Sequence, residues 1–208
     1  MSLGEKTKPT RTELRKINNE TGLAKSGHEL LKLKNDAMLI KITDINKEIK
    51  IHNKTLEENT AKAKNNLFKA FSTHGITKTK YLAASVKENK NIKIEKKRIM
   101  GVKLNSITTK GFDRKLNERG YNLRDSSIDI DRTADSFEKL MPQLLKSGEM
   151  RSNINLLKKE IKKTNRKTNA LKEVIIPRLL KDKNSILSKL EEKSREDFIR
   201  TKLTKNRK

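Results

Sequence analysis

The chain has 208 residues and a formal net charge of +25, with 51 Lys and Arg against 26 Asp and Glu. Hydrophobic residues make up 32%, charged residues 37% and aromatic residues 3%, which argues against a thick globular core and fits long helices that each bury one stripe. The absence of Cys excludes disulfides and thiolate metal sites. The sequence lacks a run of about 18 apolar residues, so no membrane span is predicted. It also lacks an apolar stretch near the N-terminus, so no signal peptide is predicted.

The excess of Lys and Arg is spread along the whole chain rather than clustered. Aromatic side chains on which bases could stack are not interleaved with it, and the sequence has no zinc-finger or RNP-like motif. The charge has three interpretations: solvated helix faces, a surface complementary to an acidic protein partner, and a nucleic-acid surface. The first is favoured, and nucleic acid has the least support.

Residues 10–74 carry the first long helical pattern, after an N-terminal tail at residues 1–9. Thr10 and Glu13 have the spacing of a capping box. Alternating steps of three and four from Leu14 define seventeen positions, eleven of them apolar, and this spacing predicts a narrow stripe facing a partner helix. We call these positions the first seam: Leu14, Ile17, Thr21, Ala24, His28, Leu31, Asn35, Met38, Ile42, Ile45, Ile49, His52, Leu56, Asn59, Ala63, Asn66 and Ala70.

Four polar residues of the first seam invite a functional interpretation. His28 and His52 have no Asp or Glu in a ligand pattern beside them, so packed or hydrogen-bonded histidines are predicted rather than metal ligands. Asn35 and Asn59 are predicted to fix the register between the helices, as polar residues in a seam can.

The middle region, residues 75–125, has a different pattern. Gly75 is predicted to end the first helix as its C-cap, and residues 76–90 could form a short helix. Apolar and polar residues alternate at both ends of residues 92–104, which indicates a β-hairpin or an extended loop. Residues 108–124 are predicted to be irregular.

The second long helix is predicted at residues 126–203, with its start between residues 125 and 135 and a basic tail at residues 204–208. Pro142 predicts either a kink or a restart of this helix. The helix carries a narrow apolar stripe, in which Thr164 and Thr168 fill positions that lack an apolar residue. The apolar members are Ile154, Leu157, Ile161, Leu171, Ile175, Leu179, Ile186 and Leu190.

The stripe changes its spacing close to Pro177. From Thr168 the steps are three, four and four, to Leu171, Ile175 and Leu179, an eleven-residue pattern that relaxes a left-handed supercoil. A proline in this position removes one backbone hydrogen bond. A bent helix is the favoured prediction, and a break into two helices is the alternative.

Two long helices that flank a small middle region must pair when the chain folds back. Neither helix would persist alone with so narrow an apolar face. The predicted fold is therefore all-α, a long antiparallel two-helix coiled coil formed by the N- and C-terminal helices, with a short helix and a hairpin-like loop between them.

The sequence carries no recognisable active-site motif. A glycine-rich phosphate loop, a G-x-S-x-G elbow, an H-E-x-x-H helix and a calcium loop are all missing. Asp125, Asp129 and Asp131 lack the glycine turn and terminal Glu of a calcium loop, so helix capping explains them better than cation binding. We predict no catalytic residue, no cofactor and no metal, and a mechanical or scaffolding role.

Three stretches resemble the D subunit of the A/V-type rotary ATPases, prokaryotic branch. Residues 9–14 (PTRTEL) and 27–36, which include GHELLK and Asn35-Asp36, resemble the first helix of that family. Residues 100–102 (MGV) resemble its middle hairpin. Thr164, Asn169-Ala170-Leu171, Ile176-Pro177, Leu190-Glu191-Glu192 and Arg195-Glu196 resemble its second helix. The matches extend over nearly the whole chain, in the family's order and spacing.

The chain departs from the family pattern at three positions. Asn165 stands where Arg is usual and Lys172 where Glu is usual, so polar contacts assigned to those positions in the family are in doubt. Asn105 stands where Pro is common, at the exit of the hairpin.

The resemblance implies a non-catalytic central rotor shaft. In this family the paired termini lie inside a ring of catalytic A and non-catalytic B subunits, and nucleotide chemistry belongs to that ring. The F subunit binds the side of the shaft, and the C subunit (also called d) meets its membrane-facing end. The implied location is peripheral, on the cytoplasmic side of the membrane, with no homo-oligomer and no nucleic acid expected.

Two site hypotheses accompany the resemblance. A bend near Pro177 would make the shaft eccentric and so make equivalent catalytic sites unequal. A basic set beside the stripe would meet acidic loops of A and B as weak sliding contacts. That set is Arg11, Arg15, Lys163, Arg166, Lys167 and Arg178.

Two other functions remain open from the residues alone. One is a basic coiled-coil scaffold associated with nucleic acid or the ribosome, and the other is a free-standing coiled-coil chaperone or adaptor. Proton or sodium coupling and the direction of the reaction leave no mark in this sequence.

Overall fold

A computed structural model describes residues 9–86, 92–109, 112, 114–115, 118–121 and 126–205. Most of both predicted tails and Asp125 therefore lie outside the described residues. The elements in chain order are α1 (Arg11–His74), α2 (Ile76–Ala84), β1 (Ile92–Ile99), β2 (Val102–Thr109), α3 (Ile128–Ala170), a π-helical turn (Leu171–Ile175) and α4 (Ile176–Lys205). The predicted all-α fold, with two long helices around a short helix and a hairpin, is confirmed.

The chain divides into two compact units. Unit 1 comprises Met1–Ala37 and Ile161–Lys208, and unit 2 comprises Met38–Glu160. In the described part of the chain, no helix combines the length and apolarity that a bilayer-spanning segment requires.

The ends of α1 follow the local signals in the sequence. The Thr10 hydroxyl oxygen accepts a hydrogen bond from the Glu13 backbone N–H at 3.2 Å, which satisfies one of the free donors of the first turn. At the other end Gly75 adopts a φ of +74° and donates its N–H to the Phe71 carbonyl at 2.9 Å. This left-handed glycine ends the helix as predicted, and α2 begins at the next residue.

The first seam is confirmed along α1. All seventeen positions are buried or half-buried, and Met38, Ala63 and Ala70 are completely buried. A repeat of three and four residues keeps these side chains on one side of the helix, while the remaining surface mixes Lys, Asn and Glu with exposed apolar side chains such as Leu23 and Leu33.

In unit 2, α1 runs antiparallel to α3. His52 Nε2 lies 2.9 Å from the Gln143 carbonyl oxygen, and Asn59 Nδ2 donates to Gln143 Oε1 at 3.0 Å. About two turns beyond Asn59 on α1, Asn66 Nδ2 donates to Ser136 Oγ at 2.7 Å. Residue numbers rise on α1 as they fall on α3, so the antiparallel pairing is confirmed.

Helix α3 begins inside the predicted window and passes through its proline. The Ser127 carbonyl accepts the Asp131 N–H at 3.0 Å, which makes Ser127 the N-cap residue. Pro142 lies within the uninterrupted helix. The predicted restart at this proline is therefore wrong.

A small core joins the elements of unit 2. Ala70 from α1, Leu82 from α2, Tyr121 from the segment before α3 and Ile130 from α3 form one buried cluster. This cluster fastens the short helix to the pair of long ones.

The middle strands form a hairpin, so the alternative of an extended loop is wrong. The antiparallel register runs from Ile99 opposite Val102 to Ile92 opposite Thr109. Met100 and Gly101 connect the strands with φ values of 52° and 81°. Positive φ at both central positions is the property of a type I′ turn, whose twist suits a two-residue hairpin.

Candidate functional site

A polar contact in unit 1 joins one of the predicted register residues, the buried Asn35, to the exposed Asn165. Asn35 is 6% exposed, and its Nδ2 donates to Asn165 Oδ1 at 2.6 Å. The side-chain oxygen Oδ1 of Asn35 has no hydrogen-bond partner in the described part of the chain. Residue 165, where the sequence departs from the family pattern, thus has a specific contact. A shift of register would break it and leave Asn35 buried without a partner.

The two seam histidines, His28 and His52, are both half-buried in the helix pair. A carbonyl oxygen can only accept, so His52 Nε2 carries the proton and donates to Gln143. His28 is half-buried in the first seam of unit 1. Within the described ranges, no three His, Asp or Glu side chains converge as metal ligands would.

The helix of unit 1 changes its winding just before Pro177. The Ile176 N–H donates to the carbonyl of Leu171, five residues back, which defines the π turn. Backbone angles stay helical on both sides, with φ −61° and ψ −40° at Ala170 and φ −62° and ψ −48° at Ile176. The alternative of a break into two helices is wrong, while a bend at Pro177 stays a prediction.

Proline provides the physical reason for the π turn. Its ring conflicts with the carbonyl four residues earlier, which for Pro177 belongs to Glu173. Glu173 lies inside the π turn, where the wider winding gives that carbonyl another direction.

The π turn also corrects one predicted stripe position. Ile175 is 42% exposed, whereas Ile176 is half-buried. The inward positions step by five residues from Leu171 to Ile176 and then by three to Leu179. Since a π turn contains one more residue than an α turn, the residue that faces inward moves by one. The predicted place of Ile175 on the stripe is therefore wrong.

The predicted basic set lies on the surface of unit 1 at several levels. Lys163, Arg166 and Lys167 lie within two residues of Asn165. Asn165 contacts Asn35 on α1, and Arg15 precedes Asn35 by about 20 residues, or about 30 Å along that helix. Arg15 is therefore far from Lys163, Arg166 and Lys167. Arg178 Nε lies 4.0 Å from an Asp182 carboxylate oxygen. All six members are exposed: Arg11, Arg15, Lys163, Arg166, Lys167 and Arg178.

A buried ion pair in unit 2 escaped the sequence analysis. The Arg119 side chain is 5% exposed and the Glu138 side chain 15%. Arg119 Nε and Nη2 donate to the two Glu138 carboxylate oxygens at 3.2 and 2.9 Å, and Nη1 donates to the Asp131 carbonyl at 3.2 Å. The Tyr121 hydroxyl donates to Asp131 Oδ1 at 2.6 Å. We call these four residues the clamp, because they fasten residues 118–121 to the first turns of α3.

The clamp alters two pKa values. Burial opposes the charge on Arg119, but its hydrogen bonds with Glu138 and Tyr121 and the negative charge of Glu138 together outweigh burial and raise the pKa of Arg119. Burial raises the pKa of Tyr121, and its hydrogen bond to the Asp131 carboxylate raises it further. Because Asp131 accepts from Tyr121, the structure favours a structural role for this carboxylate over cation binding.

A cleft of about 550 Å³ opens in unit 2 and is lined mainly by apolar side chains of α1, α2 and α3. Its ionisable groups include Arg114 and Glu138, and Glu138 is already bound to Arg119. The chemistry of the lining suits apolar contact rather than proton transfer.

The family model described as the D subunit of ATP synthase matches residues 13–206. The chain belongs to the ATP synthase D-subunit family. It is 38% identical over 200 residues to the A-type ATP synthase D subunit of Thermococcus sibiricus, covering 96% of this chain and 94% of that relative. The A-type D subunit of Methanosarcina mazei is 34% identical over 200 residues, covering 96% of each chain.

A third relative extends the comparison. The A-type ATP synthase D subunit of Methanobrevibacter smithii is 34% identical over 198 residues, or 95% of this chain and 86% of the relative. The resemblance drawn from three short stretches of sequence is confirmed along nearly the whole chain, and the protein is a rotary ATPase subunit. The family match favours this assignment over a nucleic-acid scaffold.

Proposed function

We propose that this protein is the central shaft of an A-type rotary ATP synthase and transmits torque between the ring of A and B subunits and the membrane rotor. One structural observation supports the proposal beyond family membership. The long helices pair in a register defined by polar contacts, such as Asn35 with Asn165 in unit 1 and Asn66 with Ser136 in unit 2.

These polar contacts matter mechanically because apolar side chains alone allow helices to slide. A slip of one helix would separate Asn35 from Asn165 and leave the buried Asn35 amide without a partner. Each such group costs about 1–3 kcal/mol. A helix pair that resists slippage can pass a twist from one end to the other.

The proposed division of labour follows the chain. Residues 10–74 and 126–203 are proposed to form the shaft, with residues 75–125 as the middle region between the two long helices. The A and B subunits are proposed to surround the paired termini and to carry out the nucleotide chemistry. The F subunit is proposed to bind the side, and the C/d subunit the membrane-facing end, on the cytoplasmic side of the membrane. The chain itself is proposed to be non-catalytic.

We propose that the exposed basic set supplies sliding contacts to the ring. Exposed ion pairs contribute about 0–1 kcal/mol each, which suits a surface that must release and re-form its contacts. Neutralising all six positions with Gln should reduce the dependence of complex assembly on salt. An unaltered salt dependence would contradict this role.

The bend proposed at Pro177 is a separate source of asymmetry. If the bend makes the shaft eccentric, Pro177→Ala should weaken the coupling of ATP hydrolysis to rotation in the assembled complex. Unchanged coupling and unchanged asymmetry among the catalytic sites would refute it.

The shaft proposal is tested by stopping rotation. The chain has no Cys, so Lys163→Cys introduces a single thiol at an exposed position. This thiol is joined by oxidation to a cysteine placed on a facing loop of the ring in the assembled complex. ATP hydrolysis should stop on oxidation and return on reduction, because a shaft tied to the ring cannot turn.

The matched control is the same complex with only one of the two cysteines, treated with oxidant. It should keep its ATP hydrolysis. Full turnover by the cross-linked complex would show that the chain does not rotate against the ring, and the proposal would fall.

A further inference from the structure

The two edges of the hairpin differ. On the β2 side, the backbone is bound by α3: the Asn105 N–H donates to Asn153 Oδ1 at 2.8 Å, and Asn153 Nδ2 donates back to the Asn105 carbonyl at 2.8 Å. The Ile107 N–H donates to Glu149 Oε2 at 2.9 Å. Side chains of a helix therefore close this edge of the sheet.

The strand register shows which groups of β1 remain open. In an antiparallel ladder, the backbone N–H and C=O groups of two opposed residues either both point toward the partner strand or both point away from it. The backbone groups of Asn105 and Ile107 point away from β1. Those of the opposed residues Lys96 and Ile94 therefore point away from β2. The same holds for every second residue, and no described residue bonds to these outward backbone groups. We call the outward set the open edge: Ile92, Ile94, Lys96 and Arg98.

We propose that the open edge binds an extended acidic segment of a partner protein as a third strand of the sheet. Backbone N–H and C=O groups in a row are a template for strand addition. The side chains of the open edge share one face, on which Ile94 is 64% exposed and Ile92 is 39% exposed. Lys96 and Arg98 follow on the same face and are also exposed.

Charge selects the partner. The strand carries Lys93, Lys96, Lys97 and Arg98 against a single acidic residue, Glu95. Two copies of this strand would place cations beside cations, which disfavours pairing of the chain with itself. A segment with two carboxylates opposite Arg98 and Lys96, followed by two β-branched residues opposite Ile94 and Ile92, complements the face.

A synthetic peptide tests this inference on the full chain. In an antiparallel arrangement the matching order is Glu-Thr-Glu-Thr-Val-Thr-Val, labelled with a fluorophore and followed by polarisation. Lys96→Glu combined with Arg98→Glu should weaken binding about tenfold, the upper range for two exposed ion pairs. Lys93→Glu combined with Lys97→Glu changes the net charge equally on the other face and should weaken it about threefold or less.

N-methylated peptides separate strand addition from simple charge attraction. Methyl groups on the Glu and Val amides, which would face β1, should abolish binding, whereas methyl groups on the Thr amides should leave it intact. Equal binding of both methylated peptides would overturn the inference and assign the attraction to charge alone. The inference would also be overturned if the chain formed concentration-dependent dimers that the peptide dissociates, because the open edge would then pair with a second copy.

Discussion

Units 1 and 2 differ in how far polar contacts supplement the apolar packing of their helices. In unit 2 the helices are bound through side-chain hydrogen bonds, the clamp holds a loop on α3, and Asn153 and Glu149 hold the hairpin. In unit 1 the buried positions are largely apolar or threonine, such as Ile17, Thr164 and Ile186, and a π turn keeps them in phase. Both units bury apolar side chains, but unit 2 adds several donor and acceptor pairs to this packing, whereas unit 1 adds the Asn35–Asn165 contact and depends more on residue spacing.

The largest expected effect follows from removing one partner of the clamp. Arg119→Met leaves the Glu138 carboxylate mostly buried without its cation. Breaking a buried ion pair in this way costs about 3–5 kcal/mol. Urea denaturation should show this loss, and amide hydrogen exchange should rise at residues 118–121 and in the first turns of α3.

The control for the clamp is an exposed ion pair in unit 1. Arg195 Nη2 lies 3.9 Å from a Glu191 carboxylate oxygen, and both side chains are exposed. Arg195→Met should change stability by no more than about 0.5 kcal/mol. Equal losses in the two variants would remove the distinction between the units.

The second expected effect tests spacing in unit 1. Ile176→Ala should cost about 1–2 kcal/mol, because Ile176 is half-buried and loses apolar contact. Ile175→Ala removes the same atoms from an exposed position and should stay within about 0.5 kcal/mol of the parent, since Ala favours the helix. Thermal denaturation of the pair decides, and the reverse order would contradict the π turn.

The third effect concerns the pH dependence of unit 2. The pKa of Tyr121 is raised in the folded chain, so its contribution is complete below the unfolded value of about 10 and is lost as pH rises through the folded value. Tyr121→Phe should lose about 1 kcal/mol at pH 8. Its deficit relative to the parent should shrink above about pH 10.

The comparison with the parent protein serves as the control for Tyr121. Both chains lose lysine charges over the same alkaline range, so the difference between them isolates the hydroxyl group. A constant deficit from pH 8 to pH 11 would show that Tyr121 does not ionise in this range. Urea denaturation at several pH values provides the measurement.

The smallest expected effect lies in the hairpin turn. Met100 has a φ of +52° and is 46% exposed, so it bears backbone strain with little packing in return. Met100→Asn places a residue that tolerates this conformation before Gly101 and should stabilise the hairpin by about 0.5–1 kcal/mol. Met100→Ala keeps the strain and should bring no gain. Hydrogen exchange of β1 and β2 would register the difference.

The sequence predicted the long helices well because their repeat is a local property of the chain. Every position of the first seam is buried or half-buried, since a repeat of three and four leaves one possible face. The prediction that Ile175 faces inward is wrong because the direction of this side chain depends on the winding imposed by Pro177, which apolar spacing alone does not reveal. The hairpin was recognised from its ends, while polar residues in its second strand, such as Ser106 and Thr109, hid its full length.

The clamp could not be predicted in the same way. Arg119 and Glu138 are 19 positions apart and belong to segments without a common period. Nothing in a strongly charged sequence distinguishes Arg119, which becomes buried, from arginines such as Arg195 that stay exposed to solvent. The register contacts were partly foreseen, because Asn35 and Asn59 interrupt an apolar stripe, but their partners Asn165 and Gln143 carry no such signal.

The π turn also changes what insertions and deletions do to this chain. Removing one residue from a regular α-helix rotates the part of the helix that follows by about 100°, so that its buried face turns toward solvent. Between Leu171 and Ile176 a deletion would instead shorten a five-residue step to four, the interval that an ordinary helix already uses. A deletion here therefore keeps the orientation of the helix that follows, and its cost is the conflict between the Pro177 ring and the carbonyl four residues earlier, which the π turn avoids.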